Sequence, residues 1–284
     1  MEQVNRTKYI IASVALVFIL VVIYFLFIFH KGPKEIKKQE TTGEVQQIES
    51  IDIAKHPYVT LTPTSDGAEI IISIENMLAF DRIEYELTYL ADNPQAAGEK
   101  ITRGSTGTDV NTKEAKYKKS ILLGTASRGV RSPDKGIADG KLSLHLFKGE
   151  AEYLSESPWN LLEVGTKSQT LEDSEKKFKL EIPSLGKNYW VILADTIGVP
   201  PEPEGFEPKN VILPIYGAFS VAPEFTKAAD LSITFSQNTQ NADLYTYNHT
   251  DSKWQKAESS YNTSAKTLTA KVNSFATFVV VSSK

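Results

Sequence analysis

The chain has 284 residues, with 31 Lys and Arg against 35 Asp and Glu, and it contains no cysteine. The missing cysteines exclude disulfides, zinc–thiolate sites, iron–sulfur clusters and a cysteine nucleophile. After the first 40 residues, 25 basic side chains face 32 acidic ones, and this acidic balance argues against a nucleic-acid-binding body, which would present a basic face.

An uncharged, apolar run over residues 9–29, with Tyr9 at its start and Phe29 at its end, predicts a transmembrane helix. Its 21 residues reach about 31 Å as a helix, close to the thickness of the bilayer hydrocarbon. A cleaved signal peptide would have a shorter apolar region and a small-residue cleavage site, and the run has neither. We therefore expect a short tail over 1–8, one single-pass anchor with the lipid bilayer as its partner, and a basic and polar tether over 30–56.

The orientation of this span is ambiguous in the sequence. Four lysines follow the span at positions 31, 34, 37 and 38, and the positive-inside bias by itself favours a cytoplasmic body. Long domains translocate largely regardless of such charges. The lack of cysteine beside an uncleaved anchor favours a bacterial envelope protein, so we expect the body on the outer, envelope side.

Alternation of apolar and polar residues predicts a first β-sandwich over 57–196. The run 82–90, RIEYELTYL, is the clearest example, because every second residue is apolar. Ser65, Asp66 and Gly67 predict a turn. Two polar stretches, 91–114 and 127–140, are predicted to be loops, and the segments 177–182 and 188–195 are predicted to form a hairpin.

A proline-rich segment over 197–209 follows, and it predicts a linker or a long inter-strand loop, because proline removes backbone donors. The remainder, 210–284, is predicted to be a second β-sandwich in which 243–247 pairs with 253–255. The predicted fold class is thus an all-β body, a tandem β-sandwich of immunoglobulin-like type, behind one N-terminal transmembrane α-helix.

The closing strands carry a resemblance. The LYTYN strand, Trp254, the alternating LTAKV and the final SFATFVVV resemble the last strands of β-sandwich modules on bacterial surface proteins and of the sandwich family named after zonula-occludens and netrin-receptor proteins. Residues 58–195, with the RIEYELTYL strand, resemble an immunoglobulin-like or fibronectin-type-III-like module. Both resemblances imply adhesion, display or a structural role, and they carry over no catalytic residue.

No catalytic motif is visible in the sequence. H-E-x-x-H, the P-loop, G-x-G-x-x-G and G-x-S-x-G are all absent, so we expect no enzyme activity and no cofactor. The candidate ligand-binding residues are Trp159, as an aromatic side chain at a strand end, with Arg128 and Arg131 in the second predicted loop.

The proline-rich segment offers one candidate metal site. Glu202, Glu204 and Glu207 lie close together in the sequence, and calcium binds several carboxylate and carbonyl oxygens. The alternative is a solvated linker that charge and proline keep extended.

The sequence therefore predicts a non-enzymatic, membrane-anchored cell-envelope protein that displays β-sandwich modules for adhesion, scaffolding or ligand binding. Its partner would be a cell-surface protein or glycan. Two alternatives remain: an anchored hydrolase or carbohydrate-active protein whose site forms from residues distant in sequence, and a cytoplasm-facing membrane accessory domain.

Overall fold

The protein is all-β over the part of the chain that the structure describes. This computed structural model describes residues 45–237 and 239–283, all within one compact unit, so the predicted span over 9–29 lies outside the described residues. No helix within those two ranges is long and apolar enough to cross a bilayer. Short 3-10 turns occur at Ile48–Ser50, Ile53–Lys55 and Pro208–Asn210.

Twenty short strands build the body. In chain order they are β1 (Gln46–Gln47), β2 (Tyr58–Pro63), β3 (Glu69–Glu75), β4 (Arg82–Asp92), β5 (Lys100–Val110), β6 (Lys116–Leu122), β7 (Gly124–Ser127), β8 (Val130–Pro133), β9 (Ala138–Lys148), β10 (Ala151–Val164), β11 (Gln169–Glu172), β12 (Phe178–Ile182), β13 (Tyr189–Thr196), β14 (Val211–Ser220), β15 (Ala229–Thr234), β16 (Asn241–Asn248), β17 (Lys253–Ala257), β18 (Ser259–Asn262), β19 (Thr267–Val272) and β20 (Thr277–Ser283).

One large sheet organises these strands. Its order is β17-β16-β20-β14-β13-β10-β9-β4-β5, all antiparallel, and β1 adds a short parallel pairing with β10. A three-stranded sheet has the order β2-β3-β6, and a five-stranded sheet has the order β11-β12-β15-β19-β18. Strands β7 and β8 form a separate hairpin.

The two smaller sheets cover opposite faces of the large sheet. On β13, Ile192 and Ala194 lie in a first core with the three-stranded sheet, whereas Val191 and Leu193 lie in a second core with the five-stranded sheet. Successive strand residues point to opposite faces, so β13 is buried on both sides. A strand buried on both faces has a continuous apolar sequence. This explains why the sequence YWVILA of β13 shows no alternation.

The proline-rich segment 197–209 joins two strands that pair with each other. It connects β13 to β14, and the two are antiparallel neighbours in the large sheet. Strand β12 precedes the segment, yet it pairs with β15, which follows it. The strands on either side of 197–209 therefore contribute to the same sheets and to the same second core.

Aromatic contacts hold this segment on the large sheet. Phe206 packs against Tyr245 and Trp254, with ring centroids 4.7 and 5.1 Å apart. The Trp254 indole N–H donates to the Pro201 carbonyl at 3.1 Å, and the Tyr245 hydroxyl donates to the Gly205 carbonyl at 3.0 Å. Phe206, Tyr245 and Trp254 belong to a third, smaller packing region.

The chain before β2 also packs on the body. Strand β1 pairs with β10, and Ile48 is buried in the first core. The Asn76 side-chain amide donates to the carbonyls of Ala54 and His56 at 3.0 and 2.8 Å. The described end of the predicted tether, from Gln46 onwards, is thus part of the folded body.

Several local predictions are confirmed. Gly67 has φ +67° in the predicted turn, and its N–H donates to the Thr64 carbonyl at 2.9 Å. The pairing of 243–247 with 253–255 is also confirmed, because Tyr247 lies opposite Trp254 in the β16–β17 pair.

Other local predictions are wrong. The predicted loop 91–114 contains the edge strand β5, and the predicted loop 127–140 contains β8 and the start of β9. Strand β5 is largely exposed and rich in Gly and Thr, so it lacks an apolar alternation. The predicted hairpin of 177–182 with 188–195 is also wrong, because β12 lies in the five-stranded sheet and β13 lies in the large sheet.

Shortening a β13 side chain should destabilise the whole body. We expect Leu193→Ala and Ile192→Ala each to lower the free energy of unfolding by about 2–5 kcal/mol, because each leaves a cavity in a different core. Calorimetry of the full-length protein should show one transition that shifts as a unit in both variants.

The matched control is Leu78→Ala. Leu78 is 81% exposed, so this variant should change the free energy of unfolding by less than about 0.5 kcal/mol. Two separate transitions, with only one shifted by each β13 variant, would show that the halves on either side of 197–209 unfold independently.

Candidate functional site

A groove of about 670 Å³ lies between the three-stranded sheet and one end of the large sheet. Its floor is formed by side chains of β2, β3 and β6, namely Thr60, Thr62, Ile71, Ser73, Lys116 and Lys118. Its wall is formed by the end of β14 and by the turn after β16, namely Ser220, Val221, Ala222, Pro223, His249 and Thr250. We call these twelve residues the groove.

Strand alternation produces the polar floor. On β3, Ile70, Ile72 and Ile74 point into the first core, so Ser73 points to the opposite, groove-facing side. In the register of the sheet, Thr60 lies opposite Ser73, and Ser73 lies opposite Lys118. A row of two hydroxyls and one ammonium therefore crosses the groove floor.

The wall is shaped by a fixed turn after β14. The Ser220 hydroxyl donates to the Trp190 carbonyl at 2.7 Å and accepts from the Ala222 N–H at 3.1 Å. Val221 follows and is half exposed. The wall thus offers an apolar surface, from Val221 to Pro223, that faces a polar floor.

His249 closes the wall as a half-buried, neutral imidazole. Its ring packs edge-on against Phe219, with centroids 5.5 Å apart. Burial, with a smaller contribution from the charge of Lys116, lowers the pKa of His249 to about 4. At neutral pH the ring is therefore uncharged, and it offers one N–H donor and one acceptor nitrogen.

Two buried polar atoms of the groove lack partners. Neither the Ser73 Oγ nor the His249 Nδ1 has a hydrogen-bond partner within the described ranges, and Ser73 is only 6% exposed. A buried polar atom without a partner costs about 1–3 kcal/mol. Such atoms are rare in native proteins, and a ligand-binding site is one place where they occur.

The groove carries positive charge on an acidic body. Lys116 and Lys118 belong to the lining, which contains no carboxylate. Lys116 pairs with Glu75 outside the lining, with an Nζ–Oε1 distance of 2.8 Å. Lys118 forms no ion pair with any residue that the structure describes.

A second, acidic cleft of about 290 Å³ lies between β13, β14 and the β11–β12 turn. Burial raises the pKa of the Asp195 carboxyl to about 7, and the charges of Asp173 and Glu175 add to this rise. The Tyr216 hydroxyl donates to Asp173 Oδ2 at 3.4 Å, and Lys177 pairs with Glu175. The cleft therefore combines a carboxyl that titrates near neutral pH with other carboxyl groups.

The candidate aromatic residue Trp159 lies in the core and not on the surface. It is 1% exposed, packs against Tyr89 with centroids 6.0 Å apart, and belongs to the first core. A surface ligand cannot stack on it. The prediction was misled by the neighbouring proline, because Pro158 sits inside β10 and does not end the strand.

The two candidate arginines lie on the β7–β8 hairpin. Arg128 occupies the exposed turn with φ +49°. Arg131 pairs with Asp66 and Glu69, which join the hairpin to the three-stranded sheet. The structure does not bring these arginines together with Trp159, which is buried in the first core.

The candidate calcium residues do not converge. Glu207 pairs with Lys209, and Glu202 has a positive φ of +51° beside a small cleft lined by prolines. Within the described part of the chain, no group of three or more acidic, histidine or cysteine side chains could hold a metal ion. Glu202, Glu204 and Glu207 therefore do not form a ready-made calcium site.

Comparison with known proteins gives no family assignment. No protein-family model matches the chain, and a search of curated proteins finds no relative. We therefore infer a function from the residues of the groove and of the acidic cleft.

Sequence reasoning missed the groove, although one signal was present. The strand EIIISIE carries a serine among its isoleucines, and the LYTYN strand runs directly into His249. Ser73 and His249 are 176 positions apart, so only the fold shows that both line one groove.

His249 and Asp195 should give opposite pH dependence of stability. The pKa of His249 is lowered to about 4 from an unfolded value near 6.5. The unfolded chain thus takes up this proton first, and stability should fall as the pH falls from about 6.5 to 4. The pKa of Asp195 is raised to about 7 from 3.8, so the native state retains its proton and stability should fall as the pH rises from about 4 to 7.

Urea unfolding between pH 4 and pH 7.5 measures both effects. Relative to the wild type, His249→Gln should lose less stability on acidification, and Asp195→Asn should lose less stability as the pH rises. Each variant is the control for the other, because the expected signs are opposite. Two variants with the same pH dependence as the wild type would contradict the assignment.

Proposed function

We propose that this chain is a single-pass, membrane-anchored cell-envelope protein that displays its β-sandwich body outside the cell and binds a glycan in the groove without catalysing a reaction. The observation that carries the binding proposal is the pair of partnerless buried atoms, Ser73 Oγ and His249 Nδ1, in one concave groove. The apolar run over 9–29 supports the anchor. As part of the same proposal, the body is of immunoglobulin-like type.

The groove favours a polyhydroxyl ligand over a protein surface. It is concave and of a volume typical for small ligands, and its polar floor, with Thr60, Ser73 and Lys118, faces an apolar wall. A sugar hydroxyl both donates and accepts, so it can pair with the Ser73 hydroxyl and with either tautomer of neutral His249. The apolar edge of a sugar ring can pack against Val221 and Pro223.

The acidic cleft supports a second candidate function, an anchored glycoside hydrolase. A carboxyl with a pKa near 7, such as Asp195, can protonate a leaving group at neutral pH. The neighbouring Asp173 carboxyl group could act as the base or nucleophile, and such a pair of carboxyl groups is what glycoside hydrolysis uses. The cleft is smaller than the groove, and its acidic side chains also contact Tyr216 and Lys177.

Membrane orientation is the first property to measure. Trypsin added to intact cells should release the body, because Lys31, Lys34, Lys37 and Lys38 lie between the predicted span and the folded residues. Immunoblotting against the body, with a cytoplasmic protein as the control for cell integrity, would follow the release. Protection of the body until the cells are lysed would instead support the cytoplasm-facing accessory domain.

Ser73→Ala should weaken glycan binding without lowering the stability of the protein. In the full-length protein it should weaken glycan binding about fivefold, because one ligand hydrogen bond of about 1 kcal/mol is lost. The variant should be as stable as the wild type or more stable, because it removes a buried hydroxyl that has no partner. Binding to immobilised oligosaccharides and thermal unfolding measure the two effects.

The matched control is Ser132→Ala, at an exposed position of β8, and it should change neither property. Equal weakening in both variants would contradict a site in the groove. Product analysis of the same oligosaccharides tests the second candidate: cleavage that Asp195→Asn abolishes and Ser73→Ala preserves would favour the hydrolase.

A further inference from the structure

Resting on the proposed glycan site, we infer that the ligand of the groove is an anionic carbohydrate, with a carboxylate or phosphate group that contacts Lys118 and hydroxyls that contact Thr60 and Ser73. The two anionic groups present the same chemistry to the protein, since both offer negative oxygens to an ammonium.

The first support is the sign of the local charge. The residues after position 40 carry more acidic than basic side chains, yet the groove lining contains two lysines and no carboxylate. A concave site that carries one sign of charge concentrates ligands of the opposite sign. A neutral sugar would gain nothing from this local excess of positive charge.

The second support is the state of Lys118. Its neighbour on the same face of β6, Lys116, is neutralised by Glu75 at 2.8 Å. Lys118 has no such partner within residues 45–237 and 239–283, and it lies opposite Ser73 in the register of the sheet. A lysine without an ion-pair partner and a serine with a partnerless hydroxyl therefore occupy facing backbone positions on the groove floor.

The charged groups around the groove do not cancel this ammonium. On β3, Glu75 pairs with Lys116, and Glu69 pairs with Arg131. Beyond the turn that contains His249, Asp251 pairs with Lys253 at 3.6 Å. From β2 and from the end of β14, the lining side chains are uncharged.

The wall explains why the ligand is a carbohydrate and not a bare ion. The volume of about 670 Å³ exceeds what one phosphate or carboxylate fills, and Val221, Ala222 and Pro223 offer an apolar surface opposite the ammonium. A sugar ring that bears one anionic group can pack its ring against the apolar wall and place its charge on Lys118. His249, which is neutral and half-buried, lies close enough to Lys116 for that charge to affect its pKa.

Three probes of equal length test the inference on the full-length protein in a zwitterionic detergent: a uronic-acid oligosaccharide, a phosphate-bearing oligosaccharide and a neutral oligosaccharide. We expect at least one anionic probe to bind about tenfold or more tightly than the neutral probe, and to weaken as salt is raised. The comparison of the two anionic probes distinguishes carboxylate from phosphate.

Lys118→Gln should remove the preference for the anionic probe over the neutral probe, with a loss of about tenfold or more in affinity for the anionic probe. Its stability should stay that of the wild type, because no ion pair is lost. Lys113→Gln, at an exposed position before β6, is the control and should keep the full preference. Binding of the anionic probe should also shift the histidine NMR signal that His249→Gln removes.

The outcomes separate this inference from the proposed function. Neutral binding that depends on Ser73, with no preference for either anionic probe, would overturn the inference and leave the glycan site standing. Equal losses in Lys118→Gln and Lys113→Gln would also overturn it. Binding of none of the three probes would overturn both the inference and the glycan site.

Discussion

The burial of β13 on both faces is the constraint on which the rest of the body depends. Its alternate side chains enter two different cores, so the large sheet must be covered on both sides along this strand. A sheet of three strands as short as β2, β3 and β6 buries too little surface to form a stable core alone. It gains stability by packing on the large sheet, and the five-stranded sheet packs on the opposite face.

The groove is a consequence of this arrangement. The three-stranded sheet uses one face for the first core, so the side chains of its other face meet the end of β14 and the turn after β16. The Tyr58 hydroxyl and Thr277 Oγ1 make a buried hydrogen bond of 2.7 Å across this contact. Ser73 and His249, in contrast, keep unpaired atoms. Natural proteins accept such local losses of stability mainly where function requires them.

The strand pattern could be predicted from the sequence wherever one face of a strand is buried. The RIEYELTYL strand and the LTAKV segment of β19 both alternate clearly, and the structure contains each of them. Strand β5 could not be predicted, because an exposed edge strand with Gly104 and Gly107 has no apolar alternation.

Pairing between distant strands could not be predicted either. Strands β12 and β13 are close in sequence and resemble a hairpin, but each has partners in a different sheet. The candidate site failed for the same reason. Trp159 looked like a residue at a strand end, whereas β10 continues past it on both sides. The groove joins strands far apart in the chain, and only tertiary packing brings them together.

The attachment of β1 has a mechanical consequence. A force applied at the N-terminal side of the body acts first on β1, a two-residue strand beside β10, and on the buried side chain of Ile48. Both cores are built mainly from strands further along the chain. Once detached, residues 46–57 could extend to at most about 40 Å, at about 3.3–3.6 Å per residue, and the first core would lose only Ile48 and the packing of Ile51 from this segment. Pulling from the N-terminal side would therefore peel this segment from the body before the long strands of the large sheet separate.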